Sequence, residues 1–166
     1  RLHVGTSGYQ YDHWRGVLYP EGLAKKDWFE RYAEVFDTVE INSTFYNLPS
    51  EKTFREWRDR APRGFTYALK FSRYGTHMKK LKDPEGALAA FLERAELLGS
   101  HLGPILVQLP PSWGANPGRL DAFLAAAPGD VRWAVELPDR DWLRAEVYDV
   151  LRDRGAALVV HDKLAG

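Results

Sequence analysis

TVEINS, residues 38–43, reads as a β-strand with two dissimilar faces. Thr38, Val39 and Ile41 are β-branched residues that suit a strand, whereas Glu40, Asn42 and Ser43 are polar. Successive side chains point to opposite faces, so Val39 and Ile41 lie on one side and Glu40 and Asn42 on the other. The pattern recurs along the chain. Leu69 and Phe71 oppose Ala68 and Lys70 in the run 65–71, and Trp133 and Val135 oppose Ala134 and Glu136 in the run 132–137. Central strands of a doubly wound sheet are covered on both faces and read as continuous apolar runs. Here one face is apolar, and the other is small, then polar towards the C-terminal end. A barrel interior with its site at the strand C-termini has this pattern, which places Glu40 and Asn42 near the mouth.

Outward from this stretch the chain alternates. Strand-like runs at 2–7, 38–43, 65–71, 104–110, 132–137 and 157–162 are separated by helical patterns at 26–36, 50–61, 83–102, 116–127 and 139–155. Ser50, Asp83 and Asn116 suit N-caps, and Pro84 and Pro117 suit a first helical turn. Gly99, Gly129 and Gly155 are candidate helix stops. The expectation is one α/β domain over residues 1–166, TIM-barrel-like, with a parallel sheet. Six strands against the eight of a closed barrel leave the domain without its last two βα units. The first and sixth strands then carry open edges that invite self-association.

Composition narrows the partners. Lys+Arg and Asp+Glu balance at 23 each, so no global field draws the chain to nucleic acid or anionic lipid. Cysteine is absent, which excludes disulfides, thiolate metal sites and a thiol nucleophile. No apolar run approaches the roughly 20 residues of a membrane span, and no signal-peptide pattern opens the chain. A soluble, cytoplasmic domain with a small-molecule ligand is expected.

The strand ends offer Glu40 and Asn42, Lys70, Gln108, Glu136, and His161 with Asp162. Glu40, Lys70, Glu136 and Asp162 are the candidate catalytic residues: two carboxylates serve as general acid and base. Lys70 serves as a Schiff-base nucleophile, as an anion clamp, or as the partner that keeps Glu40 and Glu136 ionised. Asn42, Gln108, His77, Tyr46 and Trp14 are the candidate substrate-binding residues, the last three from loops after strands. The competing reading is a buried ion-pair network that fills the barrel, with Lys70 held by Glu40 or Glu136. Glu136, His161 and Asp162 suit a hard divalent metal by type, but neighbours on a strand face opposite ways. The sequence names no metal and no cofactor.

The stretches GTSGY (5–9), WRGVLYP (14–20), TVEINSTFY (38–46), LKFSRYGTHMKKL (69–81), GPILVQLPPSW (103–113) and WAVEL (133–137) resemble the YecE-like family of uncharacterised TIM-barrel proteins. The resemblance runs the whole length and implies a barrel, with no assigned reaction. Two departures stand out: Tyr9 where the family has Trp, and Leu137-Pro138-Asp139 where it has an aromatic-Arg-His run. The resulting expectation is an enzyme acting on a small polar or anionic substrate at the strand C-terminal face. The alternative is a non-catalytic ligand- or protein-binding module of the same fold.

Overall fold

The structure, a computed structural model, describes residues 2–162. Alternation along the strands sets its layers. β1 (Gly5–Ser7), β2 (Thr38–Ile41), β3 (Thr66–Lys70), β4 (Leu102–Gln108), β5 (Trp133–Glu136) and β6 (Ala157–Leu158) form one sheet in sequential order. Every pairing is parallel. The helices are α1 (Trp28–Ala33), α2 (Ser43–Tyr46), α3 (Glu51–Arg60), α4 (Pro84–Ala95), α5 (Pro117–Ala126) and α6 (Ala145–Asp153). One sheet face carries Val39, Tyr67, Leu69, Ile105, Val107 and Val135, all buried, in a single core with Phe29, Phe54, Phe91, Phe123 and Val147 of the helices. The other face carries Glu40, Ala68, Lys70, Gln108, Ala134 and Glu136, all half-buried. The sheet does not close: among the described residues β1 pairs only with β2, and β6 only with β5.

Several local expectations fail for identifiable reasons. Ser50 and Asn116 cap α3 and α5 by accepting from the Thr53 and Arg119 amides, but the Asp83 side chain makes no cap bond and its φ is +47°. Gly155, with φ +65°, follows the C-cap of α6 as a helix stop does; Gly99 has φ +54° but ψ −127° and kinks the chain inside a 3₁₀ segment, and Gly129 has no positive φ. The helix expected over 83–102 ends at Ala95 and passes through a 3₁₀ segment, Glu96–His101, into a strand that starts at Leu102. The helix expected over 139–155 is cut into a single turn, Arg140–Trp142, and α6. There Trp142 is buried, its indole N–H donating to the Trp113 carbonyl at 2.5 Å, and this docking overrides helix propensity. The edge strands are shorter than the runs 2–7 and 157–162, since each has only one neighbour to order it.

β4 contains Pro104, which cannot donate to a ladder and is normally excluded from central strands. A bulge admits it. Tyr67 pairs with Leu102 and Leu69 with Ile105, so two steps along β3 face three along β4. Gly103 lets the backbones approach: a Cβ there would lie 2.7 Å from the Tyr67 carbonyl oxygen. The bulge re-aims β4 so that Ile105 and Val107 enter the core and Leu106 and Gln108 turn to the polar face.

Candidate functional site

The polar face is built at the C-terminal ends of β1–β5. Ser7 lies beside Glu40 in register, and its hydroxyl donates to Glu40 Oε1 at 2.7 Å. Asn42, which follows β2, donates from Nδ2 to the Ser7 hydroxyl oxygen at 2.5 Å. Two strands away in the same sheet, Gln108 lies beside Glu136 and donates from Nε2 to Glu136 Oε1 at 2.7 Å. Both carboxylates are therefore oriented by neutral donors.

Lys70 sits on β3 between these two sets. In register Glu40 lies beside Ala68, and Lys70 beside Leu106, so neither carboxylate is its direct neighbour. The lysines that form ion pairs among the described residues are Lys25, Lys52 and Lys79. The Lys70 ammonium instead lies 4.9 Å from the centroid of the Phe45 ring. The expectation that Glu40 or Glu136 holds Lys70 in a buried ion pair is thus corrected: Lys70 is half-buried and its charge rests on an aromatic face. The Thr44 hydroxyl fixes this corner by bridging the Ile41 and Lys70 carbonyls at 2.9 and 2.8 Å.

The loop after β3 brings His77 to the same ring, edge-on to Phe45 at 5.0 Å and 82°. It is a π-turn, Tyr74–Met78, a distortion often found at functional sites. It is followed by Lys80, Leu81 and Asp83, all with positive φ. Burial of Leu81 and the hydrogen bond its amide N–H donates to the Gly75 carbonyl, 2.9 Å, hold that conformation. The Thr76 hydroxyl bonds to the Ser72 carbonyl at 3.0 Å, so His77 Nδ1, 2.9 Å away, is the donor to Thr76 Oγ1. Nε2 has no bonding partner among the described residues.

Burial, then the charges of Arg73 and Lys70, hold the His77 pKa below its ordinary value. A histidine depressed in the fold contributes stability above its unfolded pKa of about 6.5 and loses it as pH falls below that. Relative to His77→Gln, the parent should lose melting temperature between about pH 8 and pH 5. Parallel profiles for the two proteins would contradict this.

The remaining candidates separate from the set. Tyr46 is exposed, its ring perpendicular to that of Phe45 with the centroids 4.9 Å apart. Trp14 packs on Tyr11 and Tyr19 at 4.8 and 6.1 Å, and its carbonyl accepts from the Leu18 amide, which gives it a role in shaping the loop. Asp162 is exposed and lies beyond β6, which ends at Leu158, so the expectation that it stands on a strand end is corrected. His161 Nε2 lies 3.4 Å from the Leu137 carbonyl. Among the described residues no group of three His, Asp or Glu side chains is placed to hold a metal ion, which removes the basis for a Glu136, His161 and Asp162 metal site. Glu40, Lys70, Gln108 and Glu136 share one face of the open sheet. A pocket of about 230 Å³ at the ends of β1 and β2 takes only Asn42 from the candidates, with Gly8, Tyr9, Tyr11 and Trp57. Sequence reasoning missed Ser7 and Arg73. Ser7 ends β1, and only the register with β2, which spacing along either strand does not give, sets it beside Glu40.

Among the described residues no helix is long and apolar enough to cross a membrane. The chain is similar to the UPF0759 protein YecE of Escherichia coli, 32% identical over 111 residues that cover 65% of this chain and 40% of that protein. It is 22% identical to the UPF0759 protein YunF of Bacillus subtilis over 157 residues, 89% of this chain and 54% of the relative. The chain thus spans about half the length of the curated relatives it matches. A crystal structure of a DUF72 family protein from Thermotoga maritima superposes with a TM-score of 0.84 at 32% identity, covering 95% of this chain and 64% of that one. The family profile described as "Protein of unknown function DUF72" matches residues 3–165, and the chain belongs to that family.

Proposed function

We propose that the protein is an enzyme acting on a small, polar, anionic substrate held over the C-terminal ends of β2–β5. The observation that carries this reading is Lys70: a cation without a carboxylate partner among the described residues, on the face between two preoriented carboxylates. Lys70 neutralises the substrate's charge, and Glu40 and Glu136 act as general base and acid. Ser7, Asn42 and Gln108 fix the carboxylates, while His77 and Tyr46 border the site from the loops. Trp14 shapes the wall at β1, and Asp162 is left outside the proton-transfer pair.

The sheet itself is proposed to be six-eighths of a (β/α)₈ barrel. Sequential parallel order supports this, as does a diagonal offset in which Lys70 stands two residues beyond the partner of Glu40 and Gln108 two beyond the partner of Lys70, the kind of stagger that strand tilt imposes. Two further βα units, or a second copy at the β1 and β6 edges, would complete it. The relatives' greater length supports the first. The proposal includes no nucleic-acid partner, on the balanced charge, and a cytoplasmic setting, with which the lack of cysteine agrees.

Screening metabolites for saturable thermal stabilisation, then for product, tests the function. With a substrate in hand, Glu136→Gln should keep binding and lose turnover by about 10²–10⁴-fold. Stabilisation without product would favour the non-catalytic binding module.

A further inference from the structure

The loop after β3 gathers more positive charge than the proton-transfer pair requires. Lys70 and His77 lie against the same Phe45 ring, the ammonium 4.9 Å from its centroid and the imidazole edge-on at 5.0 Å. Arg73 lies between them in sequence, exposed and without a carboxylate partner among the described residues, and its charge acts on His77 together with that of Lys70. Like charges repel, so a protein gains nothing in stability from bringing them together.

We infer that Lys70, Arg73 and His77 form an anion subsite that takes the phosphoryl group of a phosphomonoester. This deepens the proposed function and rests on it for the role of Lys70. Three features fit that group. Lys70 and Arg73 offer two positive charges to a dianion, and Arg73 supplies a planar fork that matches phosphate oxygens. With Nδ1 committed to Thr76, His77 Nε2 is the ring nitrogen left for a ligand: it accepts from a protonated phosphoryl oxygen while the ring is neutral, and donates once a bound dianion favours the imidazolium. The Ser72 hydroxyl oxygen accepts from the Tyr74 amide at 3.1 Å, which leaves its proton to donate.

The segment is also held in place. Gly75 sits so close to Phe71 that a Cβ would lie 2.6 Å from that ring, and Thr76 is buried with its hydroxyl on the Ser72 carbonyl. Arg73 and His77 are thus carried on a turn clamped to the core, which reduces the ordering cost of binding. A cleft of about 280 Å³ lined by Phe45, Tyr46, Ser72 and Tyr74, among others, shares Phe45 and Ser72 with the subsite. It offers aromatic walls to the organic part of the ester.

Calorimetric titration of inorganic phosphate into the protein and into Arg73→Gln, His77→Gln, Lys70→Met and Glu136→Gln tests this, after melts confirm that each variant folds. Saturable binding that weakens about tenfold or more in each of the first three, and is kept in Glu136→Gln, is the expected result. Binding unchanged in Arg73→Gln and His77→Gln but lost in Lys70→Met would overturn the subsite while leaving the strand-end reading standing. Failure of the parent to bind phosphate at millimolar concentration would overturn the subsite as well. Saturable binding of acetate as tight as that of phosphate would overturn the phosphoryl assignment.

Discussion

Phe71→Ala is expected to lower the unfolding free energy by about 3–5 kcal/mol. Phe71 directly follows β3 and is fully buried. Its ring meets Phe91, Phe123 and Trp133 edge-on at 5.0, 5.5 and 6.2 Å, joining α4, α5 and β5 at one point. Truncation removes the transfer energy of the ring and leaves a cavity between three aromatic groups that cannot all collapse into it. The same ring supports Gly75, so the turn carrying His77 should loosen with it. Urea denaturation measures the loss. A change below about 1 kcal/mol would mean that the three elements repack without it.

Gly103→Ala should cost about 3 kcal/mol, the upper part of the usual range for overpacking. The added methyl would sit 2.7 Å from the Tyr67 carbonyl oxygen and 3.2 Å from the Ala68 amide nitrogen. These are backbone atoms of the neighbouring strand, with no side chain free to swing aside. Relief requires β4 to move off β3 at the centre of the sheet, where the bulge already interrupts pairing. Denaturant melts of the variant against the parent decide it. A cost of a few tenths of a kcal/mol would show that the bulge has slack.

What could be read from the sequence follows from what sets each feature. β2, β3 and β5 are half-covered strands, so the alternation of Val39 with Glu40, Leu69 with Lys70 and Val135 with Glu136 is a direct imprint of their surroundings. The face on which the polar residues stand was legible for the same reason. Their partners were not. Spacing along one strand says nothing of register between strands, and register sets Lys70 beside Leu106 and leaves its ammonium to Phe45. The bulge at Gly103 depends on the neighbouring backbone, and the break before α6 on the docking of Trp142; neither leaves a local signal beyond Pro104 and the Leu137-Pro138-Asp139 run. The left-handed Lys80, Leu81 and Asp83 go against residue preference altogether and are held by the burial of Leu81. The end of β6 at Leu158 removed Asp162 from the sheet, since an edge strand with one neighbour extends only as far as that neighbour pairs with it.

Whether the polar strand ends serve a ligand or hold the sheet together is decided most directly by urea denaturation of Lys70→Met, Glu40→Gln and Glu136→Gln beside the parent. With Lys70 resting on an aromatic ring and both carboxylates half-exposed on neutral donors, each variant should stay within about 1 kcal/mol of the parent. A gain in stability would fit equally well, as expected of residues kept for function. A loss of about 3–5 kcal/mol on removing Lys70 would show a carboxylate left buried and unpaired, and the polar face would then be a structural ion-pair network and not a site.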